Sequence, residues 1–150
     1  MALPCQAREP AELEAVRELF MEYMRGVSEP CCFRNFEREL ADLPRGYFML
    51  LLAREEGLPA GCVALREIDQ RTAEMKRLYV RPAYQGRGVG RSLAEAAVAA
   101  ARRAGYERVV LDTLPKMREA LGLYRSLEFR AIPPYLAEPT PGASCFELRL

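Results

Sequence analysis

Residues 77–93 read RLYVRPAYQGRGVGRSL and contain the signals that decide the fold. An apolar strand end leads into a proline-marked turn, and an alanine-rich helix follows. Three glycines occupy alternate positions between them: Gly86, Gly88 and Gly90. Without Cβ atoms these positions leave backbone N–H groups open to a ligand, and the start of the helix adds unpaired donors and a positive dipole end. Together with the charges of Arg87 and Arg91, the stretch predicts an anion cradle suited to a diphosphate.

Two common phosphate-binding loops fit this stretch poorly. A Walker A loop ends in Gly-Lys-Ser/Thr, whereas here Gly90 precedes Arg91 and Ser92. A dinucleotide fingerprint needs G-x-G-x-x-G and a second mononucleotide half, for which 150 residues leave little room. A turn that uses glycines only for close packing would leave Gln85 and Arg87 without a purpose. The stretch therefore favours another type of diphosphate site.

The loop resembles the acetyl-CoA pyrophosphate loop of the Gcn5-related N-acetyltransferase (GNAT) superfamily. The family pattern Q/R-x-x-G-x-G/A is matched by Gln85, Gly88 and Gly90, and the preceding Leu-Tyr-Val-x-Pro is similar as well. The resemblance implies acetyl-CoA as co-substrate. The residues expected to contact it are Leu78, Tyr79, Val80, Gln85, Gly86, Arg87, Gly88, Val89, Gly90, Arg91 and Ser92.

The composition indicates a single domain, residues 1–150, of ordinary globular character. Half of the residues are hydrophobic and 29% are charged. A net charge of +1 argues against a nucleic-acid partner, which would need a clustered basic excess. No apolar run approaches the ~20 residues of a membrane span, and residues 1–9 lack the features of a signal peptide. We therefore expect a cytoplasmic protein with neither a membrane nor a nucleic acid as partner.

The cysteines and the missing histidines exclude several chemistries. The five cysteines are Cys5, Cys31, Cys32, Cys62 and Cys145. They include no C-x-x-C pair, so we expect free and mostly buried thiols in a reducing compartment. The chain has no histidine, which excludes His-dependent triads and leaves a cysteine nucleophile without its usual base. No metal site is expected.

Hydrophobic periodicity and turn residues predict the element order β-α-α-β-β-β-α-β-α-β-β. The predicted strands cover residues 3–8, 47–53, 61–67, 73–81, 109–111, 129–132 and 145–150, the last with one solvent-exposed face. The predicted helices cover residues 10–24, about 33–43, 88–104 and a segment from Pro115, capped by Asp112 or Thr113, to about Leu127. This order favours an α/β fold in which helices cover a mixed sheet. The GNAT resemblance implies a mostly antiparallel sheet of about seven strands with four helices, in which strands four and five run parallel and splay apart to admit acetyl-CoA.

Glu74 is the first candidate catalytic residue. It matches the strand-four glutamate that the family resemblance implies as general base. Alternation along the strand predicts that Glu74, Lys76, Leu78 and Val80 share a face. The alternative is a structural ion pair of Glu74 with Lys76 or Arg77.

Tyr124 is the second candidate catalytic residue. Residues 120–129 read ALGLYRSLEF and resemble the family motif A-x-x-L-Y-x-x-x-G-F, whose tyrosine donates a proton to the CoA sulfur. The alternative is a core tyrosine on an amphipathic helix. Two positions depart from the family pattern: Met117 replaces an asparagine that contacts the CoA arm, and Glu128 replaces a glycine.

The acceptor side is less defined by the sequence. The resemblance implies direct transfer of the acetyl group to an amine in a ternary complex, and the expected acceptor is a primary amine of a small or amino-acid-like molecule. A protein N-terminus or lysine, and a non-catalytic acyl-CoA binding module, remain alternatives, and a homodimer is possible. The resemblance places the acceptor walls near residues 26–36 and 133–144. The polar candidates there are Glu29, Arg34, Tyr135 and Glu138.

Overall fold

The computed structural model describes residues 3–26, 35–115 and 117–150, which form a seven-stranded sheet with four α-helices packed on it. The strands are β1 (Cys5–Gln6), β2 (Met49–Glu55), β3 (Leu58–Asp69), β4 (Thr72–Val80), β5 (Arg108–Thr113), β6 (Arg130–Ile132) and β7 (Ser144–Arg149). The helices are α1 (Pro10–Gly26), α2 (Phe36–Asp42), α3 (Val89–Arg103) and α4 (Arg118–Ser126). The predicted element order is confirmed.

The sheet has the strand order β1-β2-β3-β4-β5-β7-β6 and divides at its centre. Every neighbouring pair is antiparallel except β4 and β5, which are parallel because α3 crosses over between them. Their pairing covers only residues 72–74 of β4 and 108–110 of β5. Beyond that point the two strands separate, so the predicted mixed sheet with a splay between strands four and five is confirmed.

Strand β4 contains one residue more than β3 can pair, and the extra residue lies at Arg77. Tyr79 pairs with Cys62 whereas Lys76 pairs with Ala64, so three steps along β4 match two along β3. Arg77 adopts a φ of +59°, which is outside the strand region. This β-bulge reverses the alternation of side chains along the rest of β4.

The prediction that alternate residues of β4 share one face from residue 74 to residue 80 is wrong because of this bulge. Leu78 and Val80 pack with Met75 in the core on the α3 side of the sheet. Glu74 and Lys76 stay on the opposite face, the side covered by α1 and α2. The bulge therefore puts the backbone of residues 78–80 beside the opening while keeping the charged side chains on the other face.

Each face of the sheet has its own apolar core. The core on the α3 side is closely packed because α3 presents alanines, and Leu93, Ala94 and Ala97 are fully buried. The core on the α1 and α2 side is built around Leu19 and Phe20, also fully buried. The sheet is thus packed on both faces, and among the described residues only the core on the α3 side extends across the splay to β5 and β7.

Three predicted details differ from the structure. Helix α4 begins at Arg118 rather than Pro115, because Asp112 and Thr113 continue to pair with β7 and are unavailable as caps. Strand β1 is confined to Cys5–Gln6. The last strand has no fully wet face, since Glu147 is buried and accepts a hydrogen bond from Arg108. The predicted end of α3 is confirmed, with the following Gly105 at a φ of +93°.

Candidate active site

The glycine loop leads directly into the N-terminus of α3. Gly86 and Gly88 adopt φ values of +77° and +83°, a region that side-chain-bearing residues rarely occupy. Gly88 is the N-cap, and the N–H of Ser92 donates the first helical hydrogen bond to its carbonyl. The N–H groups of residues 89–91 therefore have no partner within the helix and lie at its positive end. A Cβ at Gly86 would meet no atom within 4 Å, so the space beside the loop is open.

A groove of about 560 Å³ runs from this loop along the separated edge of β4. One wall comprises the predicted cofactor-contacting residues Leu78, Tyr79, Val80, Gln85, Gly86, Gly88, Val89 and Gly90. The other wall comes from the start of α4, including Met117, Ala120 and Leu123. The groove has the position and the backbone donors needed for an extended diphosphate-bearing molecule.

The polar side chains of the loop have their own contacts. Gln85 donates from Nε2 to the carbonyl of Val80 at 3.0 Å, which fixes the end of β4. The guanidinium of Arg87 lies over the ring of Tyr84, 5.7 Å from its centroid. Arg91 donates to the Ser126 hydroxyl at 2.6 Å.

Three predicted cofactor contacts do not line this groove. Arg87 projects outside it, and Arg91 and Ser92 line a neighbouring depression between α3 and β2. The loop therefore contributes Gln85, Gly86, Gly88, Val89 and Gly90 to the groove, without the charged side chains of Arg87 and Arg91.

The inner end of the groove meets a smaller cavity of about 70 Å³. Four residues line both spaces: Tyr23, Leu78, Met117 and Ala120. Tyr124, Lys76 and Asp112 line the cavity but not the groove. A molecule in the groove would thus present its inner end to these three side chains.

Tyr124, the proton donor expected from the sequence motif, lines the cavity at the inner end of the groove. Its ring is buried against Phe129, with centroids 5.7 Å apart. Burial raises the pKa of the Tyr124 hydroxyl, and the nearby Tyr23 and Asp112 add to the effect. Within the described part of the chain the hydroxyl has no hydrogen-bond partner, so it remains protonated and available to the cavity.

Glu74 lies apart from that cavity. It is fully buried, and its two carboxylate oxygens accept hydrogen bonds from Arg66 Nε and from the hydroxyl of Tyr135. The predicted ion pair with Lys76 or Arg77 is wrong, because Arg66 is directly opposite Glu74 on β3 and Arg77 pairs with Glu39. Glu74 therefore joins β3, β4 and the loop before β7.

Lys76 is a cavity residue to which the sequence assigned only a possible pairing with Glu74. Burial lowers the pKa of its amine, while Glu74 and Asp112 oppose that shift. One sequence signal could have drawn attention to it: Lys76 and Lys116 are the only lysines among 22 basic residues. Lysine, unlike arginine, changes its pKa readily when buried.

The loop between β6 and β7, which we expect from the sequence to wall the acceptor site, reaches the small cavity. Thr140 and Ala143 line the cavity, and Tyr135 covers Glu74. Glu138 is exposed. The candidates Glu29 and Arg34 lie outside the described residues.

Met117 lines both the groove and the cavity, at the position where the family pattern has an asparagine. Its sulfur accepts a hydrogen bond from Thr113 Oγ1 at 3.5 Å and lies 3.8 Å from the hydroxyl of Tyr23. A soft sulfur therefore replaces an amide beside the groove.

Acidic and cysteine side chains are dispersed through residues 3–26, 35–115 and 117–150. No group of three or more acidic or cysteine side chains there is placed to hold a metal ion. Cys62 and Cys145 are buried free thiols and Cys5 is an exposed one, whereas Cys31 and Cys32 fall outside those ranges. None of the helices in the same ranges combines the length and apolarity needed to cross a bilayer.

Comparisons with known proteins agree on one family. A model described as the acetyltransferase (GNAT) family matches residues 13–129. An uncharacterised N-acetyltransferase of Schizosaccharomyces pombe is 33% identical over 147 residues, covering 94% of this chain and 90% of that protein. An acetyltransferase from Streptococcus agalactiae has the same fold, with a TM-score of 0.78, 22% identity, and coverage of 98% of this chain and 97% of that one. The yncA protein of Salmonella typhimurium, solved with its cofactor acetyl-CoA, has a TM-score of 0.75 at 20% identity, with coverage of 99% and 94%.

Proposed function

The chain belongs to the acetyltransferase (GNAT) family, and from that premise we propose that it transfers an acetyl group from acetyl-CoA directly to a primary amine of a small, amino-acid-like molecule. One observation carries the proposal. The groove that starts at the glycine loop ends at the cavity of Tyr124, so the donor's diphosphate and its thioester each have a fitting environment.

The residues of the groove fit acetyl-CoA in three ways. The N–H groups at the start of α3 suit the diphosphate, because they combine unpaired donors with the positive end of the helix dipole. The edge of β4 at residues 78–80 has no partner in β5, so it can pair with the pantetheine arm as an added strand would. An N–H in this segment also suits the thioester oxygen, where negative charge develops. When bound, acetyl-CoA supplies the activated acetyl group.

In the proposed reaction, the neutral amine attacks the thioester carbonyl, a carbon–nitrogen bond forms and the carbon–sulfur bond breaks. The nitrogen loses its extra proton to a base or to solvent. Tyr124 donates its proton to the departing sulfur, and its raised pKa keeps that proton in place until the thiolate forms. Transfer is direct, without an acetylated enzyme intermediate.

In this proposal Glu74 acts as a base through the hydroxyl of Tyr135, which donates a hydrogen bond to it. Because Glu74 is fully buried, it can act as the base only if the Tyr135 hydroxyl accepts a proton from the amine while passing its own proton to Glu74. Glu74→Gln and Tyr135→Phe should then lower kcat alike and leave acetyl-CoA affinity unchanged. A normal kcat in Tyr135→Phe would assign Glu74 a purely structural role.

Calorimetry and an amine panel test the function itself. We expect acetyl-CoA to bind, ATP and NAD not to bind, and release of free CoA thiol in the presence of one or more primary amines. Binding of ATP or NAD would contradict the donor assignment. Acetyl-CoA binding without transfer to any amine in the panel would favour the non-catalytic binding module.

A further inference from the structure

The cavity beside Tyr124 contains opposite charges on the two strands that separate there. Pairing of β4 with β5 ends where Glu74 meets Val110. Two residues further along each strand are Lys76 and Asp112, which share a face of the sheet and both line the cavity. Neighbouring strands are about 4.8 Å apart, and these two are beginning to diverge. The two side chains therefore flank the mouth of the splay.

The amine of Lys76 has the carboxylates of Glu74 and Asp112 in its surroundings but forms an ion pair with neither of them. Glu74 is occupied by Arg66, and Arg77, which also lines the cavity, is held by Glu39. Lys76 forms no hydrogen bond or ion pair with any residue in the ranges 3–26, 35–115 and 117–150. Burial penalises its charge, as the lowered pKa indicates. An added carboxylate would relieve this penalty by providing a charge-assisted hydrogen bond.

Asp112 supplies the complementary group. Its carboxylate lines the same cavity as Tyr124, and its charge acts on the hydroxyl of Tyr124 and on the amine of Lys76. An ammonium held by Asp112 would therefore lie on the side of the cavity where the thioester is expected.

We propose that this cavity binds the backbone of a free α-amino acid, with the substrate carboxylate on Lys76 and the substrate ammonium on Asp112. A single carbon separates the two groups of an α-amino acid, which suits two side chains on adjacent strands. A cavity of about 70 Å³ has space for a few water-sized groups, which matches this polar end of the acceptor. The inference rests on the proposed acetyl transfer and specifies its acceptor class.

Matched acceptors provide the test. Each of several α-amino acids is compared with its carboxamide and with the amine that lacks the carboxyl group. We expect kcat/KM to be about 10- to 100-fold higher for the free acid, the range of one hydrogen bond to a charged group. In Lys76→Met the ratio of kcat/KM for the free acid to kcat/KM for the carboxamide should fall to near 1. This happens because kcat/KM falls for the free acid and not for the other two compounds. Lys76→Arg should retain part of the preference, and Asp112→Asn should lower kcat/KM for all three compounds.

The control variant is Arg102→Met, which removes a positive charge from the exposed last turn of α3 and should leave the preference intact. Calorimetric titration of acetyl-CoA into each variant checks folding, because the groove does not depend on Lys76. Titration of the amino acids into protein saturated with CoA reports recognition without turnover, and we expect binding that Lys76→Met weakens.

Several outcomes would overturn the inference. Equal kcat/KM for acid and carboxamide, or an undiminished preference in Lys76→Met, would do so while leaving acetyl transfer intact. Acetylated Lys76 in peptide mass spectra, without any preference for acids, would make this lysine an acceptor instead. Acetyl-CoA binding with neither transfer nor amino-acid binding would contradict both the proposed function and its acceptor.

Discussion

At the residue scale, Tyr124 connects the fold to the chemistry. Helix α4 places its ring against Phe129 in the core on the α3 side and leaves its hydroxyl beside the cavity. The same side chain is thus a core tyrosine, and its place beside the cavity is compatible with the proposed role as proton donor. Its raised pKa means that the hydroxyl keeps its proton throughout the neutral range.

Replacing Tyr124 with phenylalanine should therefore affect chemistry and not binding. We expect the single-turnover rate to fall about 100-fold, the lower end of what general acid catalysis contributes, with acetyl-CoA affinity unchanged. Rapid-quench kinetics and calorimetry measure the two quantities. Tyr106→Phe is the matched control, because it removes a hydroxyl that donates to Glu67 away from the groove. A wild-type rate in Tyr124→Phe would refute the assignment.

Glu128 is a residue whose backbone conformation conflicts with its side chain. It adopts a φ of +72° directly after α4, where the family pattern has glycine. The left-handed conformation costs a residue with a Cβ roughly 1–2 kcal/mol. Glycine avoids this cost, but its greater entropy in the unfolded chain offsets part of the gain in stability.

We expect Glu128→Gly to stabilise the protein by about 0.5–1 kcal/mol, which corresponds to a rise in Tm of roughly 1–4 °C. Differential scanning calorimetry checks this. Glu56 also has a positive φ, of +52°, but lies in a hairpin turn, so Glu56→Gly tests whether the gain follows backbone geometry in general. A lower Tm in Glu128→Gly would mean that the side chain stabilises this turn.

At the element scale, the short helix α2 is attached to the β4 bulge by an ion pair. Glu39 accepts two hydrogen bonds from Arg77, at 2.7 and 3.0 Å, and the guanidinium lies over the ring of Phe36. Burial raises the pKa of Glu39, but the hydrogen bonds and charge of Arg77 outweigh it and hold the pKa below its ordinary value. A carboxyl group with a lowered folded-state pKa stabilises the fold above its unfolded pKa, and the contribution disappears as pH falls through the folded pKa.

Glu39→Ala should therefore destabilise the protein by about 3 kcal/mol at pH 7, because it removes the carboxylate that accepts two hydrogen bonds from a buried guanidinium. The difference from wild type should shrink below roughly pH 4, where the wild-type carboxylate begins to protonate. Urea unfolding at both pH values measures this. Glu14→Ala, which breaks an exposed pair with Arg17, should change stability by less than 1 kcal/mol. Equal effects of the two substitutions would contradict the anchoring role of Glu39.

At the scale of the whole molecule, the candidate site lies where the sheet divides. Residues 72–74 of β4 pair with β5, whereas residues 78–80 contact the groove. The core on the α3 side includes residues of both halves of the sheet, such as Met75 of β4 and Leu111 of β5, so the opening is part of the packed fold. The groove and the cavity meet at this opening, which is why residues distant in sequence, such as Lys76 and Tyr124, share one space.

The amino-acid sequence alone determined the element order and the glycine loop, because local periodicity and turn residues are written along short stretches of chain. The parallel pair of strands and the choice of Tyr124 as a candidate came from the resemblance of short motifs to the GNAT family. The tertiary structure decided the partner of Glu74, the face of Leu78 and the exposure of Lys76 to the cavity. Each of these depends on how β3 and β4 are aligned, and one extra residue at Arg77 reverses every side chain after it. Alternation within a strand cannot reveal that residue, because the pairing with a neighbouring strand exists only in the folded sheet.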